Sequence, residues 1–192
     1  ETPQNERTRF YPRSPYGCAK AFAHYTAVNY REAYNMHISC GILFNHESER
    51  RGEEFVTRKI TKGVAKVKMG LADRVVLGNL NASRDWGYAK DYVEGAWLML
   101  QQPKPDDYIL ATNETHTVKQ WLEKTCEVAQ VDFWNVYTQS PTQERQAEVD
   151  YLRGDYSKAE KVLGWKPKVK FDELIELMYK ADYDSLKSGN PR

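Results

Sequence analysis

Ser14-Pro15-Tyr16-Gly17-Cys18-Ala19-Lys20 is the stretch from which the rest of the chain can be read. Serine is a good helix N-cap and proline suits the first helical position, so a helix is expected from here to about Asn35. Its buried stripe is expected to be Ala19, Phe22, Ala23, Thr26, Ala27, Tyr30 and Ala33. Tyr16 and Lys20, four positions apart, share one helical face. An ammonium beside a phenol favours the phenolate and lowers a pKa of about 10 toward the range of a base. Gly17 and Ala19, being small, let a ring system come close to this face.

Working outward, Ile38-Ser39-Cys40-Gly41-Ile42-Leu43-Phe44 is an apolar run that reads as a buried parallel strand. Its end opens into a polar loop, Asn45 to Gly52, and ligands of open α/β sheets bind at such carboxyl ends. A helix is expected over Glu53–Met69, a strand over Arg74–Leu77 and a loop over Gly78–Gly87. Further helices are expected over Tyr88–Gln101, from Thr117 to about Ala129, over Ser157–Leu163 and over Phe171–Tyr183. Strands are expected at Asp107–Ala111 and Phe133–Tyr137, a loop over 138–150, and a frayed tail over Ser185–Arg192. Helices alternating with short strands make the class α/β.

Composition excludes several functions. With 192 residues, 41% hydrophobic, 29% charged and net +1, the chain suits one cored domain or a domain with a subdomain. That charge gives no reason to invoke nucleic acid or a membrane surface. No apolar run approaches the roughly 18 residues a bilayer span needs. Cys18, Cys40 and Cys126 have no metal-ligand spacing and read as free buried thiols of a reducing cytoplasm; no metal site is expected.

In the loop after the strand, Asn45, His46, Arg50 and Arg51 offer an amide, an imidazole and two guanidiniums. Paired arginines suit phosphate, since the guanidinium fork binds oxyanions bidentately. Lys59 and Arg84, near loop or strand ends, suit a diphosphate. Each also reads simply as a solvated charge, Arg84 being next to Asp85.

Tyr-x-x-x-Lys on a capped helix before a buried strand resembles the extended short-chain dehydrogenase/reductases. The likeness sharpens over Phe10-Tyr11-Pro12-Arg13-Ser14-Pro15-Tyr16-Gly17, Gly41-Ile42-Leu43-Phe44-Asn45-His46-Glu47-Ser48 and Arg50-Arg51-Gly52. Phe55-Val56-Thr57-Arg58-Lys59-Ile60, Leu77-Gly78-Asn79-Leu80, Arg84-Asp85-Trp86-Gly87 and Ala89-Lys90-Asp91-Tyr92-Val93-Glu94 extend it, as do Glu148-Val149-Asp150, Gly154-Asp155 and Leu163-Gly164-Trp165-Lys166-Pro167. Together, over residues 1 to about 183, these resemble the GDP-mannose 4,6-dehydratase family.

The resemblance implies a lyase that converts GDP-mannose to GDP-4-keto-6-deoxymannose by internal hydride transfer through NADP and loss of water, toward GDP-fucose and other GDP-deoxyhexoses. It implies Tyr16 as the base and Lys20 as its pKa partner and ribose anchor. His46 and Arg51 match NADP-contacting positions, while Asn45, Lys59, Arg84, Arg145 and Glu148 match nucleotide-sugar contacts. A cytoplasmic homo-oligomer, dimer or tetramer, is implied, with the Arg-Arg loop near an interface. The expected fold is the C-terminal part of an NAD(P)-binding Rossmann-type fold plus a smaller α/β sugar-nucleotide-binding subdomain. Residues 1–52 would be the remaining Rossmann portion and 53–192 mostly the substrate-binding part, with about 78–112 returning to the Rossmann sheet.

The chain also departs from the family pattern. No G-x-G-x-x-G phosphate loop occurs, so this chain is expected to be the C-terminal part of a longer enzyme, inactive alone, with sheet edge and apolar face exposed. Glu49 stands where the family has proline, which is expected to loosen the Arg-Arg loop. Gln146 follows Arg145 where proline is usual, and Val131–Glu144 is short. A non-catalytic GDP-sugar-binding or scaffolding relative, and a dehydratase or epimerase of another sugar nucleotide, stand as alternatives.

Overall fold

The computed structural model describes residues 1–140, 149 and 151–189, and within them the chain folds into two compact units. The first comprises 1–46, 85–115 and 147–168; the second comprises 47–84, 116–146 and 169–192.

The first unit begins with α1 (Pro15–Tyr34), capped by the Ser14 hydroxyl accepting from the Gly17 amide at 3.0 Å and closed by Asn35 in the left-handed region (φ 50°). Asparagine tolerates that conformation better than most residues, so it ends the helix without a glycine. Parallel strands β1 (Cys40–Leu43) and β6 (Asp107–Leu110) pair in register, Cys40 opposite Asp107 and Leu43 opposite Leu110. The expected parallel strand is therefore present, but it is half-buried rather than buried, with Leu43 43% exposed. α3 (Ala89–Leu100) packs on β6 through Gly95, where a Cβ would lie 2.6 Å from Leu110 Cδ1. α6 (Ser157–Leu163) closes the layer and ends at Gly164, whose φ of 67° suits glycine. Tyr92, Met99, Tyr108, Leu110, Ala159, Leu163 and Trp165 form the core of this unit. Trp165 also donates its indole N–H to the Asp91 carbonyl at 2.7 Å, so its polar edge is satisfied inside.

The stripe expected on α1 is corrected. No residue of α1 is buried, Phe22 is 73% and Tyr30 48% exposed, and Ala19, Ala23 and Ala33 also face outward. Gly17, Ala21, His24, Thr26, Ala27, Val28 and Arg31 are the half-covered positions. The reason is polar: Arg31 donates to Asp107 at 2.7 Å and to the Ile38 carbonyl at 3.2 Å, and Phe10 packs edge-on to His24. These anchors set the helix rotation, which an apolar pattern alone does not reveal.

The second unit is built on α2 (Val56–Lys68), α4 (Val118–Ala129) and α7 (Phe171–Lys187), which pack on one another. Ile60, Val64, Trp121, Leu122, Cys126, Leu174, Ile175 and Met178 are buried there. Thr117 caps α4 with a reciprocal Thr117–Gln120 capping box, as its side-chain chemistry predicts. β3 (Val75–Leu77) runs parallel to β8 (Tyr137–Gln139), and Gly63 lets α2 lie against β3, since a Cβ there would sit 2.6 Å from Val75 Cγ2.

Several boundaries differ from expectation. Asn45–Glu47 is a short strand, β2, rather than loop, and it pairs with β5 (Trp86–Tyr88). Within the expected loop 78–87 lies β4 (Ser83–Arg84), antiparallel to β7 (His116–Thr117). Strands of two or three residues carry too little periodicity to be read. Phe133–Val136 is a helical turn, α5, because Asp132 caps it by accepting from the Trp134 amide; the strand starts only at Tyr137. The last helix outruns its expected end, and Ser185 is buried in it rather than frayed. Cys18 is exposed and Cys40 intermediate, so only Cys126 fits the buried-thiol expectation.

Candidate active site

Tyr16 occupies the second position of α1 and Lys20 lies one turn on; both are exposed, Tyr16 by 74%. The Ser14 cap and Pro15 fix the helix start, so the phenol and the ammonium leave one face a turn apart. At Gly17 a Cβ would come 3.2 Å from Pro12 Cβ, so the incoming Tyr11–Arg13 segment packs directly on the first turn.

Asn45 and His46 follow β1 on β2. Asn45 Nδ2 donates to the Asp85 carbonyl at 3.2 Å, which fixes the amide and leaves its oxygen as the remaining acceptor. His46 Nδ1 lies 2.8 Å from the Phe44 carbonyl; a carbonyl only accepts, so Nδ1 carries the proton and Nε2 is an acceptor in the neutral ring. The ring stacks on Tyr92, centroids 5.4 Å apart.

Asp85 is a buried hub, a role that its place beside Arg84 in the sequence does not reveal. Fully buried, it accepts from the Thr112 amide (2.8 Å), the Thr112 hydroxyl (2.7 Å), the Asn113 amide (3.2 Å) and the Gly154 amide (3.0 Å). Burial pushes its carboxyl above the ordinary range, and these donors pull it back only in part. Gly154 is required here, since a Cβ would lie 2.4 Å from Ala111 Cβ. An acid followed by Trp-Gly, with Gly-Asp far downstream, was the available signal, but nothing local links Asp85 to Gly154.

In the second unit, Ser48 to Arg51 forms a turn: the Arg51 amide donates to the Ser48 carbonyl and the Arg50 amide to the Ser48 hydroxyl. Glu49 stands at the position of such a turn that favours proline, and the turn forms with glutamate there. Arg51 lies over the Phe55 ring at 3.6 Å, and its Nε is 3.3 Å from Glu47 Oε2. Lys59 sits half-buried in the first turns of α2; Arg84 lies on β4 and donates to the Ser83 carbonyl at 2.9 Å. Arg145 and Glu148 fall outside the described residues. Thus Tyr16, Lys20, Asn45 and His46 belong to the first unit and Arg51, Lys59 and Arg84 to the second.

No group of three or more His, Cys, Asp or Glu side chains among the described residues could hold a metal ion. Nor, among the same residues, is any helix long and apolar enough to cross a membrane.

The family model described as GDP-mannose 4,6 dehydratase matches residues 1–178. The chain belongs to that family. Similar proteins include GDP-mannose 4,6 dehydratase 1 of Arabidopsis thaliana, 52% identical over 96% of this chain and 51% of that protein. The Homo sapiens GDP-mannose 4,6 dehydratase is 47% identical over 98% of this chain and 55% of that protein. The chain spans about half the length of the curated relatives it matches.

Among solved structures, RMD from Pseudomonas aeruginosa complexed with NADPH superposes with a TM-score of 0.86 at 21% identity, over 95% of this chain and 60% of that one. The dTDP-glucose 4,6-dehydratase of Bacillus anthracis in complex with NAD gives 0.83 at 17% identity, over 97% of this chain and 58% of that one. These likenesses establish the α/β Rossmann-type fold of the GDP-mannose 4,6-dehydratase family for this chain.

Proposed function

We propose that the protein carrying this chain is a hydro-lyase acting on GDP-mannose, with a nicotinamide nucleotide, NADP, as cofactor. One observation carries the reading: a chain of this family presents Tyr16 and Lys20 one turn apart on the Ser14-capped start of α1.

Tyr16 as phenolate takes the proton of the sugar 4-hydroxyl as that carbon is oxidised to a ketone. Lys20, one turn away on the same face, would donate to the cofactor ribose. The ketone makes the proton at C5 acidic, and its loss with the C6 hydroxyl eliminates water. The bound cofactor supplies acceptance of hydride from C4 and its return to C6.

Residues of the chain suit such a group. The two Nη groups of Arg51 have no hydrogen-bond partner among the described residues, and stacking on Phe55 holds the guanidinium plane. A planar fork so held matches a phosphate oxyanion. His46, with its proton on Nδ1, offers Nε2 to a hydroxyl donor. Asn45, Lys59, Arg84, Arg145 and Glu148 are assigned to the nucleotide sugar, and a cytoplasmic homo-oligomer belongs to the same reading.

The test is turnover of GDP-mannose by the protein at its full natural length, followed as the 4-keto product. Tyr16→Phe keeps the ring and removes the base, and turnover is expected to fall about a hundredfold or more. Unchanged turnover rejects the role, and GDP-mannose binding without turnover in the parent protein favours a non-catalytic binder.

A further inference from the structure

The second unit buries more charge than its fold requires. On α2, Arg58 and Lys62 are 6% and 7% exposed, and Thr57 and Thr61 are 1% and 0% exposed. Glu47 and Asp182, each 2% exposed, are the partners of Thr57 and of Arg58 with Thr61, while Lys62 pairs with the more exposed Glu53. An arrangement like this is seldom worth more to stability than well-packed apolar side chains of the same volume. Its layout points elsewhere, because it converges on Arg51 from both ends.

The side-chain end is held through Thr57, whose hydroxyl donates to Glu47 Oε2 at 2.5 Å; the same oxygen lies 3.3 Å from Arg51 Nε, an ion pair rather than a hydrogen bond. The main-chain end is held by Arg58, whose Nη1 donates to the Arg51 carbonyl at 2.7 Å. Arg58 is in turn fixed on α7: its Nε donates to Asp182 Oδ1 at 3.2 Å, while Asp182 Oδ2 accepts from the Thr61 hydroxyl at 2.7 Å. Adjacent residues of the first turn of α2 thus clamp one arginine at backbone and guanidinium.

We propose that Arg58, steadied by Asp182, is a positioning residue that holds Arg51 in the orientation in which its guanidinium takes a phosphate of the nicotinamide nucleotide. This rests on the assignment of Arg51 to the cofactor, and the test separates the two. Only an arginine can span both partners, since its planar fork reaches a carboxylate and a carbonyl together; lysine keeps the charge and loses the bridge.

NADP affinity is measured by titration calorimetry on the full-length protein for R58K, D182N, R51A, R51A/R58K and R51A/D182N, with circular dichroism as the check on folding. R51A alone is expected to weaken NADP at least as much as R58K. R58K and D182N are each expected to weaken it about tenfold when Arg51 is present and to change nothing in the R51A background, the coupling of residues that act through one another. Such non-additivity is absent from a merely structural role, which would cost affinity equally in both backgrounds. Unchanged affinity in R58K, equal losses with and without Arg51, or loss of the fold in both R58K and D182N would each overturn the proposal. R51A without effect would remove the cofactor assignment itself and leave Arg58 nothing to position.

Discussion

Arg31 donates from Nη1 to Asp107 Oδ1 at 2.7 Å, joining the last turns of α1 to the first residue of β6. The pair is mostly covered, with side chains 16% and 19% exposed, and Arg31 also reaches the Ile38 carbonyl. Nothing in α1 is buried, so this polar link and the Phe10–His24 contact carry the attachment that apolar packing supplies elsewhere. Asp107→Asn is expected to cost about 1–2 kcal/mol in denaturant unfolding. It should also speed hydrogen exchange of the α1 amides. R31A/D107N should be little worse than either single change, and additive losses would show that the two residues act separately.

Asp85 should be far less tolerant. Its four donors come from two segments remote in sequence, and exchanging one carboxylate oxygen for an amide nitrogen leaves the donors on that side buried without a partner. Asp85→Asn is expected to cost about 3 kcal/mol, read from the midpoint of chemical denaturation. The pH dependence has a definite sign. Burial raises the folded carboxyl above its ordinary 3.8, so the folded state holds the proton longer than the unfolded one. The contribution of Asp85 to stability is therefore complete below 3.8 and declines as pH rises through the folded value. D85N should lack that decline, and an identical pH profile in D85N and the parent would refute the assignment.

The three cysteines should separate cleanly in reactivity. Burial, with the nearby Asp107 charge, pushes Cys40 up to about 11, and burial with Asp132 pushes Cys126 up to about 12. Thiolate is the reactive form, so both should resist alkylation at neutral pH while exposed Cys18 is modified. Mass spectrometry after brief iodoacetamide treatment checks this, and Cys126 labelling as fast as Cys18 would contradict it.

What could be read ahead of the structure depended on the range of the interaction. Ser14-Pro15 and Thr117-x-x-Gln120 are local chemistry, and both helices start where those residues place them. The Tyr16–Lys20 spacing is equally local, and the family was legible from contiguous loops such as Asn45 to Gly52. The rotation of α1 was not, because Arg31 answers to Asp107, 76 residues away. Asp85 was missed for the same reason: its meaning lies in amides 27, 28 and 69 residues downstream. Phe133-Trp134-Asn135-Val136 has a strand-like composition, yet the Asp132 cap turns it into a helical turn, a case of one side chain overriding propensity.

The division of the chain into units has a consequence for its synthesis. Each unit is assembled from three separate stretches, and the polypeptide alternates between them, so no continuous piece of gene encodes either one. The first unit needs Trp165, which completes its core, and the second needs α7, which supplies Asp182. At about 5–20 residues per second on the ribosome, both must wait, half made, for their last stretches to emerge. A chaperone meeting the nascent chain would find the α1 segment made well before Asp107, the residue that anchors it.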